Sequence, residues 1–475
     1  MDAGNALERR LDAASSYGPS GRLPIELLSE IFLMCLSDTM DGHNTIDMPL
    51  LLSQICSRWR SAAIANPKLW SRLCVQLTPQ SISQPELVDT WLKRSGGCPL
   101  KIFVFWEKTP FSNSHPVLER LMDNSERWET MFFYLPVDAF RSFSRVRNRL
   151  PMLSELSLGT SDDANPSSVS AFDMFEIAPR LRSLESVNLT PTSFHLPWKQ
   201  LEEIPMFSVD IEDSLSILYK SKHLSRVSFM FVGGNPQDWH PPPVQTHPNS
   251  PSLPSHFPFI FHNHLTHFTI MTPVWNESVN LGALFPRLSF PHLESLTICN
   301  IKSPLGSEFI QFLSKLHTLR TLHLRKTAIM DDVLVEGLKH LPTLTQLIVL
   351  SSSGGAHSPI GSSSASMTFE PEATVTRYLF DALTRNIFSN DAIDGMLLPR
   401  LEKLELTISS TAETELDTFV DMIQSRLRDE AELGLASLTH VRVRPYVELD
   451  EEFLIRLVEV RDAGVEVEVE AMQMI

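Results

Sequence analysis

The residues best suited to chemistry in this 475-residue chain are a group of histidines and a few scattered cysteines. Imidazole and thiolate groups ligate zinc, and both take part in nucleophilic catalysis. The histidines lack the regular spacing of a zinc site, so we predict no bound metal and no cofactor. The group comprises His240, His247, His256, His262, His264 and His267.

The cysteines do not indicate catalysis either. They are odd in number and form no Cys-x-x-Cys pair, which disfavours a disulfide framework. The chain also lacks a Gly-x-x-x-x-Gly-Lys loop, a Gly-x-Ser-x-Gly elbow and a His-Glu-x-x-His helix, so we predict that it is not an enzyme. The cysteines are Cys35, Cys56, Cys74, Cys98 and Cys299.

The composition of the chain disfavours two classes of binding partner, nucleic acids and membranes. The formal net charge is -17 and no basic stripe is present, so we expect no nucleic-acid partner. No apolar run approaches the roughly 20 residues that span a bilayer, so we expect no membrane partner. Together with the unpaired cysteines, this predicts a cytoplasmic or nuclear protein.

The first predicted secondary-structure element is a helix over residues 23–36. This helix is apolar on two sides. A period of 3.6 residues puts Leu27, Ile31 and Met34 on one stripe. Leu28 and Phe32 fall on the next stripe with Cys35. One core face cannot use both stripes. Either the helix is buried inside a large domain, or it packs on its own core on one side and on another protein on the other.

A second helical segment follows a polar link at residues 37–49. Leu52, Ile55, Cys56, Trp59, Ala62 and Ala63 fall on one face of a single predicted helix. Pro67 must end that helix, because the residue before a proline disfavours helical backbone. Periodicity alone is equally typical of a small all-helical subdomain whose tryptophans are simply core.

Three stretches carry a family resemblance. LPIELLSEIF, ICSRWRSAA and NPKLW, in this order within residues 23–70, resemble the F-box of proteins abundant in mushroom-forming fungi. The resemblance implies an all-α F-box domain at residues 20–75, behind a flexible terminus at 1–19. It also implies a partner, the Skp-type adaptor of a cullin-RING ubiquitin ligase.

The resemblance and the double stripe together assign two groups of residues. We expect one group to face the adaptor and the other to pack the helical domain itself. The adaptor-facing residues are Leu23, Pro24, Leu27, Leu28 and Ile31. The packing residues are Ile55, Trp59, Leu69 and Trp70.

The rest of the chain repeats a six-residue pattern, L-x-x-L-x-L, in which other apolar residues can replace leucine. The units starting at 265, 293, 319 and 344 are separated by 28, 26 and 25 residues, a period typical of leucine-rich repeats. We expect the apolar positions to be buried in one continuous core. The ten units start at Leu153, Leu184, Leu201, Leu224, Leu265, Leu293, Leu319, Leu344, Leu401 and Leu438.

Helical patterns alternate with these units, as in residues 306–318 and 331–343. We therefore predict an α/β fold: an irregular leucine-rich-repeat solenoid over residues 76–475, with a parallel sheet on its concave face. Two strands without the leucine pattern are expected within 98–106 and 127–136.

Two inserts interrupt the period, and one strand closes the chain. Residues 235–258 are rich in proline and residues 351–367 in serine and glycine, so we predict loops outside the core. VEVEVE, at 465–470, alternates strictly and predicts a strand at a sheet edge. We interpret its glutamates as a solvated face.

These patterns favour one function and leave an alternative. The favoured function is the substrate-recognition subunit of an SCF-type ubiquitin ligase, in which the F-box binds the adaptor and the repeats bind an unknown target protein. The alternative is a repeat scaffold that binds a protein without any ligase.

Overall fold

The structure is a computed structural model, and it describes most of the chain in separate stretches. The predicted flexible terminus at 1–19 and both predicted inserts lie outside the described residues. The described residues are 23–36, 47–77, 84–106, 115–160, 172–189, 194–233, 259–273, 281–282, 284–350, 375–385, 396–408, 413–427, 435–445, 449 and 451–470.

The protein has an α/β fold with parallel strands, and it divides into two compact units. The first comprises Met1–Leu189 with Ser193–Pro197, and the second comprises Thr190–Thr192 with Trp198–Ile475.

The described part of the first unit begins with three short helices. Helix α1 spans Ile25–Met34, α2 spans Asp47–Ile55 and α3 spans Ser57–Ala65, and a 3-10 turn follows at Pro67–Trp70. The single helix predicted here is wrong, because Cys56 has extended backbone, with φ -158° and ψ 169°. The Cys56 Sγ accepts a hydrogen bond from the Trp59 backbone N–H at 3.5 Å and so caps the N-terminus of α3.

Five parallel strands complete the described part of the first unit, in the order β1-β2-β3-β4-β5. Helix α4, Gln84–Arg94, connects β1 to β2, and α5, Pro116–Asp123, connects β2 to β3. Both strands expected without the leucine pattern are present, as β2 and β3. The strands are β1 Arg72–Leu77, β2 Leu100–Trp106, β3 Trp128–Tyr134, β4 Glu155–Gly159 and β5 Ser183–Val187. The parallel strands thus begin at Arg72, slightly ahead of the expected start at 76.

Among the described residues of the second unit, nine strands pair in parallel, in the order β6-β7-β9-β11-β12-β13-β14-β15-β16. Strands β8 and β10 pair separately with each other. The strands are β6 Glu203–Phe207, β7 Arg226–Met230, β8 Ile260–Phe261, β9 His267–Met271, β10 Leu288–Ser289, β11 Ser295–Cys299, β12 Thr321–Arg325, β13 Gln346–Leu350, β14 Lys403–Ile408, β15 His440–Pro445 and β16 Glu466–Val469.

Helices connect many of these strands, as the alternating pattern predicts. Phe309, Phe312 and Leu313 on the helix between β11 and β12 are buried. The helix between β12 and β13 buries Leu334 and Leu338 in the same way. The helices of the second unit are α6 Ile211–Lys220, α7 Ser307–Leu313, α8 Asp331–Leu338, α9 Arg377–Leu383, α10 Glu413–Ser425 and α11 Glu451–Asp462.

The apolar positions of the repeated pattern align across the strands. Leu296 on β11 pairs in register with Leu322 on β12, and Leu322 pairs with Leu347 on β13. All three leucines are 0% exposed. The pattern therefore predicts both the inward positions and the register.

One of the ten units has the wrong phase. The unit placed at Leu184 would turn Val187 inward, but Val187 is half-buried. Leu184 instead pairs with Leu156, which is the fourth residue of the previous unit. The unit therefore starts at Leu181, which is 0% exposed.

A left-handed residue follows five of the strands directly. The φ angles are 53° at Asn188, 57° at Ser208, 57° at Phe231, 60° at Asn300 and 50° at Lys326. Residues with side chains rarely adopt this conformation, and asparagine is the commonest exception. The same turn thus recurs after β5, β6, β7, β11 and β12, although its sequence varies.

Two arginines are buried in the second unit beside helices α9 and α10. Arg426 is 0% exposed and donates hydrogen bonds to the carbonyls of Leu383, Leu397 and Leu398, at 2.6, 2.6 and 3.0 Å. Arg385 is 6% exposed and donates to the Pro399 carbonyl at 3.3 Å. Burial, with the neighbouring Arg385, lowers the pKa of Arg426 to about 9. The guanidinium therefore stays charged at neutral pH and ties irregular backbone to the helices.

Candidate protein-binding surfaces

Helix α1 has one buried face and one exposed apolar face. Leu28 and Phe32 are 1% and 0% exposed. Leu27, Ile31 and Met34 are 50%, 41% and 85% exposed. The two predicted stripes are therefore separated by the fold: one packs on the helical core, and the other is left uncovered by the described part of the chain. We call Leu27, Ile31 and Met34 the outer stripe.

Local chemistry fixes α1 in this orientation. Pro24 precedes the helix, and its carbonyl accepts the hydrogen bond from the Leu28 N–H at 3.1 Å. The Arg58 side chain on α3 donates to the Leu23 carbonyl. The Asn66 side-chain amide donates to the Ser29 carbonyl at 3.4 Å. The contacts of Arg58 and Asn66 hold α1 against α3 and the residue that follows α3, and the outer stripe stays exposed.

The predicted adaptor-facing group is divided by this orientation. Leu27, Ile31 and Pro24 are exposed, and Leu23 is half-buried. Leu28 is buried, so its assignment to an external surface is wrong. The reason is that Leu28 shares its stripe with Phe32, which packs on the helical core.

The predicted packing group contains one similar error. Leu69 and Trp70 are buried, and the Trp70 indole N–H donates to the Ala63 carbonyl at 2.7 Å. Trp59 is half-buried and contacts Phe32. Ile55 is 55% exposed and does not pack the core. Ile55 is the last residue of α2, and the break at Cys56 separates it from the face that Trp59 and Ala62 continue on α3.

Further apolar side chains on the same helices are exposed. Ile25 on α1, Leu51 on α2 and Ile64 on α3 are 42%, 53% and 41% exposed. The two-stripe pattern did not identify them, because each lies off the stripes or on a helix whose phase was misplaced. Three short helices thus expose more apolar surface than their own packing requires, which is typical of a protein-binding surface.

A second candidate surface is the open face of the parallel strands in the first unit. In the register, Phe103 lies opposite Phe132, and Phe105 lies opposite Tyr134. The Phe132 ring centroid is 6.3 Å from that of Phe103 and 5.0 Å from that of Phe105. Phe103 is 8% exposed, and the other three are half-buried. We call these four residues the aromatic array.

Gly159 on β4 makes room for this array. It lies opposite Tyr134, and a Cβ atom at Gly159 would fall 2.6 Å from Cδ2 of Tyr134. No positive φ requires a glycine at this position. The close approach of the Tyr134 ring therefore explains the glycine.

The open face of the second unit is polar in the middle and charged toward the last strands. Thr269, Thr297 and His323 occupy successive in-register positions on β9, β11 and β12. Burial lowers the pKa of His323, against the opposing effect of Glu405, so its ring is neutral at pH 7. A shallow groove of about 190 Å³ lies on β14, β15 and β16. Its lining residues include Lys403, Glu405, His440, Arg442, Glu466 and Glu468.

Ion pairs join the strands of this groove. The Glu405 carboxylate accepts a hydrogen bond from Arg444 Nε at 2.6 Å. Arg444 Nε also lies 2.9 Å from Glu470, and His440 Nε2 lies 2.7 Å from Glu466. The closing glutamates are exposed, as expected, but they pair with basic residues on β15 and are more than a solvated face. The edge position of β16 is confirmed.

The candidate chemical residues do not come together. Among the residues that the structure describes, no group of three histidine, cysteine, aspartate or glutamate side chains is placed to hold a metal ion. His240, His247 and His256 lie outside those residues. His262 is 0% exposed, and its Nε2 atom lies 2.8 Å from the Leu218 carbonyl. All five cysteines are free.

Comparison of the sequence with protein-family models and with curated proteins found no match. Over the described stretches, no helix is both long enough and apolar enough to cross a bilayer.

Proposed function

We propose that this protein is the substrate-recognition subunit of an SCF-type cullin-RING ubiquitin ligase. In this proposal, α1 to α3 are an F-box that binds a Skp-type adaptor. The parallel strands with their helices are an irregular leucine-rich-repeat solenoid that binds a target protein. The protein itself carries no catalytic step, and it acts in the cytoplasm or nucleus.

The single observation that carries the adaptor part is the outer stripe. Leu27 and Ile31 belong to the stretch whose sequence resembles an F-box, and both are exposed, while their neighbours Leu28 and Phe32 are buried. Each leucine or isoleucine fully buried in a complex contributes roughly 1.5 to 3 kcal/mol. An apolar helix face of this kind fits a hydrophobic partner surface.

Strand geometry supports the target-binding part. The strands of each unit present rows of in-register side chains on a face that their own core does not use. Repeat proteins commonly bind partners on such extended faces. The side chains on these rows differ from strand to strand, which suits recognition of one particular protein.

A binding experiment tests the adaptor part. The double variant Leu27→Ala with Ile31→Ala should lose pull-down of a purified Skp-type adaptor. A matched control replaces Leu454 and Ile455, which are 38% and 55% exposed on α11, and should leave binding unchanged. Circular dichroism should show both variants folded. If the wild-type protein does not bind the adaptor at tens of micromolar, the ligase proposal is wrong.

The alternative is a protein-binding scaffold without ligase association. The same open strand faces favour it, and it needs no adaptor. Under this alternative, the outer stripe contacts a different apolar partner. Neither the wild-type protein nor the double variant would then bind the adaptor.

A further inference from the structure

We propose that the aromatic array, together with Glu155 and Glu185, binds an extended peptide segment of a partner protein. The segment carries one aromatic or aliphatic anchor and a lysine or arginine two or four residues away. This inference rests on the target-binding half of the proposed function, and it does not depend on the adaptor.

The anchor site follows from the geometry of the array. Four rings lie side by side on two neighbouring strands. Three of them remain partly exposed to solvent among the described residues. Gly159 extends the surface, because the missing side chain lets the Tyr134 ring lie close to β4. Aromatic side chains of this kind dominate protein interfaces, since they bury much apolar area and lose little conformational entropy.

The charge of the segment follows from the next two strands. Glu155 on β4 is exposed and accepts a hydrogen bond from the Thr130 hydroxyl at 3.2 Å. Glu185 on β5 is half-buried and accepts one from the Ser157 hydroxyl at 2.7 Å. Within the described part of the chain, neither carboxylate has an ion-pair partner. A basic residue of the partner would supply one.

The opposite margin of the array has the opposite charge. The Arg72 guanidinium lies 5.7 Å from the Phe103 ring centroid, and Lys101 on β2 is exposed. A basic residue of the peptide is repelled on that side and attracted on the β4 and β5 side. The gradient therefore orients the peptide across the strands.

The register sets the spacing within the segment. Phe132 lies opposite Ser157, and Ser157 lies opposite Glu185, so Glu185 is two strand spacings away. Two spacings amount to about 9.5 Å, or about three residues of extended chain. In an extended peptide, side chains on one side recur every second residue, so the second and fourth residues from the anchor can reach Glu185.

Selection from a library of short random peptides displayed on phage tests the inference with the full-length protein. Enriched sequences should pair an apolar anchor with a nearby lysine or arginine. A synthetic version of the best sequence should bind at least about tenfold more weakly to Phe132→Ala, as hot-spot truncations do. Binding should also weaken at least about fivefold with Glu185→Lys, which reverses the charge.

Two further variants distinguish a loss of peptide binding from a loss of folding. Glu119→Lys makes the same charge change on helix α5 and should alter the affinity by less than about twofold. Gly159→Ala keeps every aromatic side chain but displaces the Tyr134 ring, so it should weaken binding while circular dichroism stays unchanged. If no peptide is enriched, if the enriched peptides are acidic, or if binding is insensitive to Phe132, the inference is wrong.

Adaptor binding distinguishes this inference from the ligase proposal. The variants of the array should bind the Skp-type adaptor as the wild type does. A protein that selects such peptides but binds no adaptor would retain this inference and overturn the ligase proposal. A protein that binds the adaptor but selects no peptide would do the reverse.

Discussion

The Phe32 ring of α1 packs against the Trp59 indole of α3, with centroids 5.0 Å apart and planes inclined by 52°. The contact joins two of the three N-terminal helices across a stretch of sequence that includes the Cys56 break. Phe32 is 0% exposed, whereas Trp59 is half-buried. The orientation of α1, and therefore of its outer stripe, depends on this pair.

Trp59→Ala should destabilise the N-terminal helices by about 2 to 3 kcal/mol. The expected loss is below the roughly 3 to 5 kcal/mol of a fully buried tryptophan, because Trp59 keeps part of its surface in water. Hydrogen exchange of α1 and α3 measures the loss. Ile64→Ala, on an exposed position of α3, is the matched control and should leave exchange nearly unchanged. Equal exchange in both variants would contradict the proposed packing role.

Leu296→Ala and Leu322→Ala should each destabilise the second unit by about 2 to 5 kcal/mol, through lost burial and a cavity. Both leucines are 0% exposed and paired in register. Chemical denaturation measures the change in the free energy of unfolding. Thr297→Ala changes the open face at the residue after Leu296 and should cost less than about 1 kcal/mol. A small effect at both leucines would mean that the register is wrong.

His262 should make the stability of the second unit depend on pH. Burial, with smaller effects of Lys222 and His264, lowers the pKa of His262 from 6.5 to about 4. The unfolded chain therefore binds the proton more tightly, and stability present above pH 6.5 is lost as the pH falls toward 4. At about 1.4 kcal/mol per pKa unit, the loss amounts to about 3 kcal/mol.

Denaturation at a series of pH values measures this dependence. His262→Gln removes the titration and retains a hydrogen-bond donor toward the Leu218 carbonyl. The variant should lose less stability than the wild type between pH 6.5 and 4. Identical curves for the two proteins would contradict the assigned role of His262.

Arg426→Met should destabilise the second unit by about 2 to 4 kcal/mol, because it leaves buried carbonyls without donors. Arg426→Lys keeps the charge but cannot reach all three carbonyls, so an intermediate loss is expected. Arg400→Met, at an exposed position, should change stability by less than about 0.5 kcal/mol. Thermal or chemical denaturation compares the variants, and equal stability of Arg426→Met and the wild type would count against the prediction.

Much of the fold could be predicted from the sequence because its signals are local. The outer stripe of α1 and the buried Leu28 and Phe32 follow from a period of 3.6 residues. The inward leucines of β11 and β12 follow from alternation within each strand. In both cases a residue's neighbours in sequence decide which side chain is buried, so no long-range contact is needed.

The errors arose where the deciding contact is distant or the pattern is ambiguous. At residues 181–189, the phase that starts at Leu184 has three apolar positions, whereas the observed phase has Ser186 at its last position. Only the pairing of Leu184 with Leu156 identifies the observed phase. At Cys56, the chain leaves the helix although its composition favours continuing. No periodicity marks that break, so Ile55 was assigned to the core.

The aromatic array was missed for a different reason. Strands β2 and β3 are apolar on both faces, and such strands usually indicate burial on both sides. The sequence contained a usable signal, since Phe103 and Phe105 alternate with the inward residues Ile102 and Val104. A row of apolar side chains on the outer face of a strand predicts that another element covers it. Only the three-dimensional structure shows that no described element covers the aromatic array.

The in-register rows of the second unit also have an evolutionary consequence. Leu296 and Leu322 are 26 residues apart and occupy equivalent in-register positions, so β11 with α7 and β12 with α8 are equivalent strand–helix units. Unequal recombination between two such modules inserts or deletes one strand and one helix, and the flanking leucines still meet in register. A change of this kind enlarges or shortens the open face by one strand at a time.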